Sequence, residues 1–288
     1  MGMGLIVHRH ADVDAFLASA SEFLVRREAE HNLLFGICTA LRTSPELFAA
    51  NPPTLLTVTD AGDRVVAASL RTPPHNQVLS QVDDPEALDA LADALATEPL
   101  PGVLAPTELV GRFLDRWRER TGQTAHLEVA ERIFRLERVI PPARPAPGTW
   151  RLAEPRDRQL VADWIIAFSA EALPEQPLPD DPLGVADRWI AGINRQIYLW
   201  EDEGRIVSVV GAGGETPNGI RIGPVYTPPE ARGRGYASAL TAAASQDQLD
   251  RGRRFCFLFT DLANPTSNAI YQAIGYEPVC DMDLYRFD

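Results

Sequence analysis

The 288 residues carry 40 acids against 27 bases, a net charge of −13, with 45% hydrophobic and 23% charged residues. Such a hydrophobic content supports packed cores and excludes a disordered chain, while the acidic balance argues against a nucleic-acid surface, which needs cations to neutralise phosphates. The length is about twice that of an ordinary domain, so two domains are predicted.

All 27 bases are arginine, a bias that fits a GC-rich gene. Cys38, Cys256 and Cys280 form no C-x-x-C pair, so neither a disulfide framework nor a zinc site is expected, and no metal. The five histidines all lie in the first half without ligand spacing. MGMGLIVHRH lacks a long apolar segment, and no stretch approaches the roughly 20 apolar residues of a spanning helix. A soluble, cytoplasmic protein with no membrane partner is expected, as monomer or homodimer.

In chain order, residues 12–42 read as helical and "TLLTVTD-AGD-RVVAASL" as a hairpin. A helix from Pro85 to Ala96, a strand near Val103, a helix from Thr107 to Arg120 and the strand "RIFRLERV" follow. PPARPAPG, residues 141–148, excludes helix and interior strand and predicts a linker. Domains are therefore placed at 1–140 and 150–288, with a Pro-rich linker over 141–149. The second half repeats the rhythm: a helix after Pro155, a helix near Asp187–Asn194, the hairpin "QIYLWEDEGRIVSVVGA" and the strand "GIRIGPVYT". A loop and helix over 231–252, the strand "FCFLFT", a helix over Asn264–Ile274 and a strand over Val279–Phe287 complete it. The repeated order reads as a diverged duplication of mixed α/β type.

"ARGRGYASAL", residues 231–240, joins a strand to a helix through Gly233 and Gly235. Backbone N–H groups at a helix start, with glycines that permit close approach and the charges of Arg232 and Arg234, suit a pyrophosphate. A dinucleotide fingerprint would need glycine where Ser238 stands, and a Walker loop needs a lysine the chain lacks. Pro224 inside a strand points to a bulge or a break in pairing.

"RGRGYA", Arg232 to Ala237, resembles the R/Q-x-x-G-x-G/A loop of the GCN5-related N-acetyltransferase (GNAT) superfamily. "NPTSNAIYQAIGYEPV" resembles that family's second block, with Asn264, Tyr271, Gly275 and Tyr276 in register. The resemblance covers about residues 150–288. The first half looks like a degenerate copy, because "SQVDDPEAL" offers acids and a proline where the loop should be. The implied fold is α/β (α+β), two GNAT-like domains, each a mixed, mostly antiparallel central sheet flanked by helices.

The resemblance implies acetyl-CoA as cosubstrate, held only by the second domain, between strands at about 220–227 and 255–260 that splay apart. It implies that Val225, Tyr226 and Thr227 hold the pantetheine and thioester, that Arg232, Gly233, Arg234, Gly235, Tyr236, Ala237 and Ser238 hold the pyrophosphate, and that Asn264 contacts the coenzyme. Tyr271 matches the family's acid toward the leaving thiolate. Some members place a basic Glu where Arg221 stands here, so Glu215, Glu171, Glu175 and a water chain stay open as base. RGRR, 251–254, reads as a helix-end run with a possible coenzyme-phosphate contact, and Trp189 and Trp200 as core. Expected is an N-acetyltransferase acting on an amine of a small molecule or peptide by direct attack in a ternary complex; the acidic surface mildly favours a cationic acceptor. The alternatives are a non-catalytic acyl-CoA-binding or regulatory module, because fold does not fix function, and aminoacyl transfer from tRNA, which the charge disfavours.

Overall fold

The computed structural model describes residues 4–172 and 178–288. The first half runs β1 (Ile6–Arg9), α1 (Val13–Val25), α2 (Asn32–Thr43), β2 (Thr54–Thr59), β3 (Val65–Arg71), β4 (Gln77–Leu79), α3 (Glu86–Leu95), β5 (Gly102–Pro106), α4 (Thr107–Thr121) and β6 (Ala125–Leu136). Then come β7 (Thr149–Leu152), α5 (Arg158–Ala172), α6 (Pro182–Ile190), β8 (Arg195–Asp202), β9 (Arg205–Gly213) and β10 (Gly219–Tyr226). The chain ends in α7 (Tyr236–Asp250), β11 (Phe255–Asp261), α8 (Pro265–Ala273) and β12 (Glu277–Phe287).

Two compact units result. The first holds the residues up to Ile133 with Thr260–Ala263 and Pro278–Asp288; the second holds Phe134–Phe259 and Asn264–Glu277. In the first, β1, β2, β3 and β4 pair antiparallel in succession and β4 pairs parallel with β5. β12 adds to β5 antiparallel, with Leu284 opposite Leu104. In the second, β7, β8, β9 and β10 pair antiparallel in succession and β10 pairs parallel with β11. The same five-strand pattern thus occurs twice, as the repeated sequence rhythm predicts, and each sheet is mixed and mostly antiparallel.

Each sheet buries both faces. In the first unit one face packs on α3 and α4 through Leu88, Leu91, Phe113 and Trp117, the other on α1 and α2 through Phe16, Phe23, Leu34 and Leu41. In the second, Tyr198, Val210 and Ile220 meet α7, while Ile197, Leu199 and Val209 meet α5 and α6. The alternation of Ile197, Tyr198 and Leu199 between opposite faces is the period-two rule of a strand. α7 buries Ala239, Ala242, Ala244 and Ser245, small side chains that let the helix lie close on its sheet.

The structure departs from the sequence-based elements in a few places. The helix expected over 12–42 is two, broken where the buried His31 ring bonds the Leu24 carbonyl through Nδ1 at 2.9 Å and so satisfies the end of α1. α6 starts earlier than expected, because Asp181 accepts from the Gly184 N–H at 2.9 Å and Pro182 opens the first turn. β1, β4 and β7, each only three or four residues long, are additions to the expected set. Among the described residues no helix is long and apolar enough to cross a membrane.

Candidate functional site

The start of α7 is open. Gly235 stands in its N-cap position at φ 83° with no side-chain cap, and Gly233 has φ 77°, conformations that L side chains rarely adopt. Helical bonding begins with Ala239 N–H to the Gly235 carbonyl at 2.9 Å. The N–H groups of Gly233, Arg234, Gly235, Tyr236, Ala237 and Ser238 have no hydrogen-bond acceptor among the described residues. These amides, at the positive end of the helix dipole, form an anion cradle. A Cβ on Gly233 would meet nothing within 4 Å and one on Gly235 only Ala146 at 3.9 Å, so the cradle is also roomy.

Beside it, two parallel strands part. The β10–β11 pairing runs from Gly219 opposite Phe255 to Arg221 opposite Phe257, and β10 continues unpaired on that side through Tyr226. The irregularity expected at Pro224 is present: the register with β9 shifts between Ile222 and Val225, around Gly223 at φ 138°. Val225 then pairs with Val210 and Tyr226 with Val209. Thr227 is fixed from behind by the Ser208 hydroxyl at 2.8 Å, a support the sequence reading missed.

Tyr271, on α8, is buried and meets Tyr276 edge to face at 6.1 Å. Burial alone pushes its phenol up to about 12, with no hydrogen bond to its hydroxyl among the described residues. Asn264 is exposed and caps α8, its Oδ1 accepting from the Ser267 N–H at 3.0 Å.

Residues 160–276 match the acetyltransferase (GNAT) family. The chain is also similar in fold to solved structures over its whole length. One is a Drosophila protein at 15% identity and TM-score 0.68, covering 99% of each chain. Another is a tandem GNAT protein from the clavulanic acid biosynthesis pathway, at 14% identity and TM-score 0.59, covering 99% of this chain and 98% of that one. A third is a GCN5-related N-acetyltransferase from Sphaerobacter thermophilus, at 17% identity and TM-score 0.58, covering 98% and 95%. No curated protein matches the sequence. Family and fold together support acetyl transfer in general terms, with acetyl-CoA as the family's usual cosubstrate.

Other candidates in the second half are engaged elsewhere. The Arg232 guanidinium is held by Glu171 at 2.6 Å and by the Thr227 carbonyl at 2.8 Å, so it braces the loop with its side chain. Tyr236 turns inward, its hydroxyl on Asp202, and offers only its backbone to the cradle. Arg234 is exposed at the mouth.

Of the acids considered as base, Glu171 pairs with Arg232 and Glu215 with Arg253; Glu175 lies outside the described residues. In the RGRR run, Arg251 pairs with Asp247 and Arg254 stacks on Phe255. Trp200 is buried, its Nε1 donating to the Pro147 carbonyl at 2.7 Å. Among the described residues no group of three or more His, Cys, Asp or Glu side chains could hold a metal ion.

Proposed function

We propose that the protein is an N-acetyltransferase that moves an acetyl group from acetyl-CoA to an amine of a small molecule or peptide, in a ternary complex, using residues 150–288. The observation that carries this reading is the run of open amides from Gly233 to Ser238 beside strands that part after Arg221 and Phe257. The amides suit the two anionic groups of a pyrophosphate, and the gap gives an extended thioester arm a place along Val225, Tyr226 and Thr227. The Asn264 amide adds a contact to the coenzyme. Acetyl-CoA supplies the acyl group already activated as a thioester.

The Tyr271 hydroxyl donates to the departing sulfur. With the phenol at about 12 and a thiol near 8.5, full proton transfer runs uphill, so the sulfur leaves as a thiolate held by the phenol's hydrogen bond. The attacking amine loses its proton to water, since Arg221 occupies the position where a carboxylate would act and a guanidinium is no base at neutral pH. The first domain, 1–140, is a degenerate copy that serves as scaffold.

The engagement of Glu171 and Glu215 in ion pairs favours a second reading, a non-catalytic acyl-CoA-binding module. One experiment separates the two: acetyl-CoA and pools of amines are incubated with the protein while free thiol is followed, alongside calorimetry with coenzyme A. Thiol release that depends on an amine supports the transferase. Binding without turnover in any pool supports the module, and no heat with the coenzyme overturns both.

A further inference from the structure

On the face of the second sheet that α5 and α6 cover, two arginines stand in one cross-strand row. Arg195 on β8 lies opposite Gly213 on β9, and Gly213 lies opposite Arg221 on β10. Directly opposed residues point to the same face, so both arginines project toward the helices with a glycine between them.

The glycines make room for Arg195. A Cβ on Gly211 would fall 2.8 Å from its Cδ and 3.1 Å from its Nη1, and one on Gly213 would fall 3.0 Å from its Cβ. The arginine therefore lies along a floor without side chains, and its guanidinium stacks on the Trp189 ring of α6 at 4.8 Å. The residue is half-buried, its guanidinium lying in the recess that the glycine floor and the Trp189 ring leave between them.

Seven other arginines of this unit hold an acid: Arg135, Arg151, Arg156, Arg158, Arg232, Arg251 and Arg253 pair with Glu137, Asp157, Glu154, Asp187, Glu171, Asp247 and Glu215. Arg195 has neither carboxylate nor hydrogen-bond partner among the described residues, in a chain with 40 acids to 27 bases. Enclosure, followed by the Arg221 charge, pulls it down to about 9, still a cation at pH 7. An enclosed charge without a counter-ion is costly, and an incoming anion relieves the cost.

We propose that Arg195 receives an anionic group, carboxylate or phosphate, of the acceptor, so that the substrate is a small amine carrying an oxyanion. This rests on the acetyl-transfer reading. The position fits: the Cβ site of Gly211 is also 2.8 Å from the Gly223 carbonyl, and Val225 pairs with Val210, the neighbour of Gly211. The recess thus adjoins the bulge of β10, and one step of about 3.3 Å along β9 and one strand spacing of about 4.8 Å separate the glycine floor from the residue expected to hold the thioester. An amino-acid-sized molecule spans that distance, its anion on Arg195 and its amine toward the thioester. The Arg195 charge reverses the preference for cationic acceptors that the net charge alone suggests.

The test uses calorimetry on the full chain saturated with coenzyme A. N-acetylglycine and N-acetylleucine are compared with their carboxamides, and N-acetylphosphoethanolamine with N-acetylethanolamine. At least one anionic probe is expected to bind tenfold or more tightly than its neutral partner, and the pair that shows it names carboxylate or phosphate. Arg195→Gln is expected to remove that difference while leaving the coenzyme affinity within about twofold. Should that variant fail to fold, Arg195→Lys, which keeps the charge but loses the two-pronged fork, is expected to cut the preference at least threefold.

Equal binding of anionic and neutral probes, or a preference that survives substitution of Arg195, overturns the proposal. An anion preference in a protein that binds no coenzyme, measured without it, would leave the site standing and remove the acetyl-transfer reading instead.

Discussion

The two five-strand repeats share their pairing pattern and differ at one turn. In the second, the chain between β10 and α7 presents amides from Gly233 to Ser238 with no acceptor among the described residues. In the first, the corresponding chain between β4 and α3 consumes its own. The Gln81 N–H donates to His31 Nε2 at 3.0 Å, the Asp83 N–H to the Val66 carbonyl at 2.8 Å, and the Glu86 N–H to the Asp84 side chain at 2.9 Å. Asp83 further draws in Arg26 and Arg27, and Pro85 has no N–H to offer. A helix start can be a stable internal turn or an anion cradle; donors already satisfied are unavailable to a ligand. The gap differs as well: β4 is only three residues long and pairs with β5 at Gln77 and Val78, whereas β10 runs on past its last pairing with β11.

Five substitutions or titrations break or sharpen this comparison, from the largest expected effect down. Tyr271→Phe removes the hydroxyl that has no hydrogen-bond partner among the described residues; acetyl transfer should slow about 100-fold, with coenzyme affinity within about twofold in calorimetry. The first repeat should respond to acid through His31. Burial lowers its imidazole from 6.5 to about 4, so the neutral ring that bonds Leu24 and Gln81 contributes fully above pH 6.5. That contribution is lost as pH falls toward 4, and by linkage it amounts to about 3 kcal/mol. Denaturant titrations from pH 7 to 4 should show a decline that His31→Gln makes shallower.

Gly235→Val forces a β-branched residue to φ 83°, at roughly 1–2 kcal/mol, and disturbs the cradle. Coenzyme binding should weaken about 30-fold with the circular dichroism spectrum unchanged. Asp84→Ala, at the counterpart turn of the first repeat, should leave coenzyme binding where it was; an equal loss in both would end the distinction. The smallest effect belongs to Arg232→Ala, which breaks a surface pair with Glu171 worth under about 1 kcal/mol and should lower coenzyme affinity only a few-fold.

Much of this was legible in the chain. Glycines 233 and 235 before an alanine-rich run announce a helix start with left-handed backbone, and Pro224 in a strand announces a broken ladder, because both residue types act through local backbone sterics. Arg232 was read as a phosphate ligand from its charge; its partner Glu171 sits on a helix 61 positions earlier, a separation no local pattern reports. Arg195 escaped notice for the same reason. Its character comes from Gly211, Gly213 and Arg221 on other strands and from Trp189 on a helix, and only the register brings them together.

The amino-acid order by itself determined the two-fold rhythm of elements, the loop chemistry and the identity of the tyrosine block, all set by short-range propensity and spacing. The tertiary structure alone decided that residues 278–288 pack in the first compact unit, that His31 divides the first helix in two, and which charged side chains are already spent on partners. Those outcomes depend on long-range strand pairing and burial, where the winning contact is chosen among residues far apart in the chain.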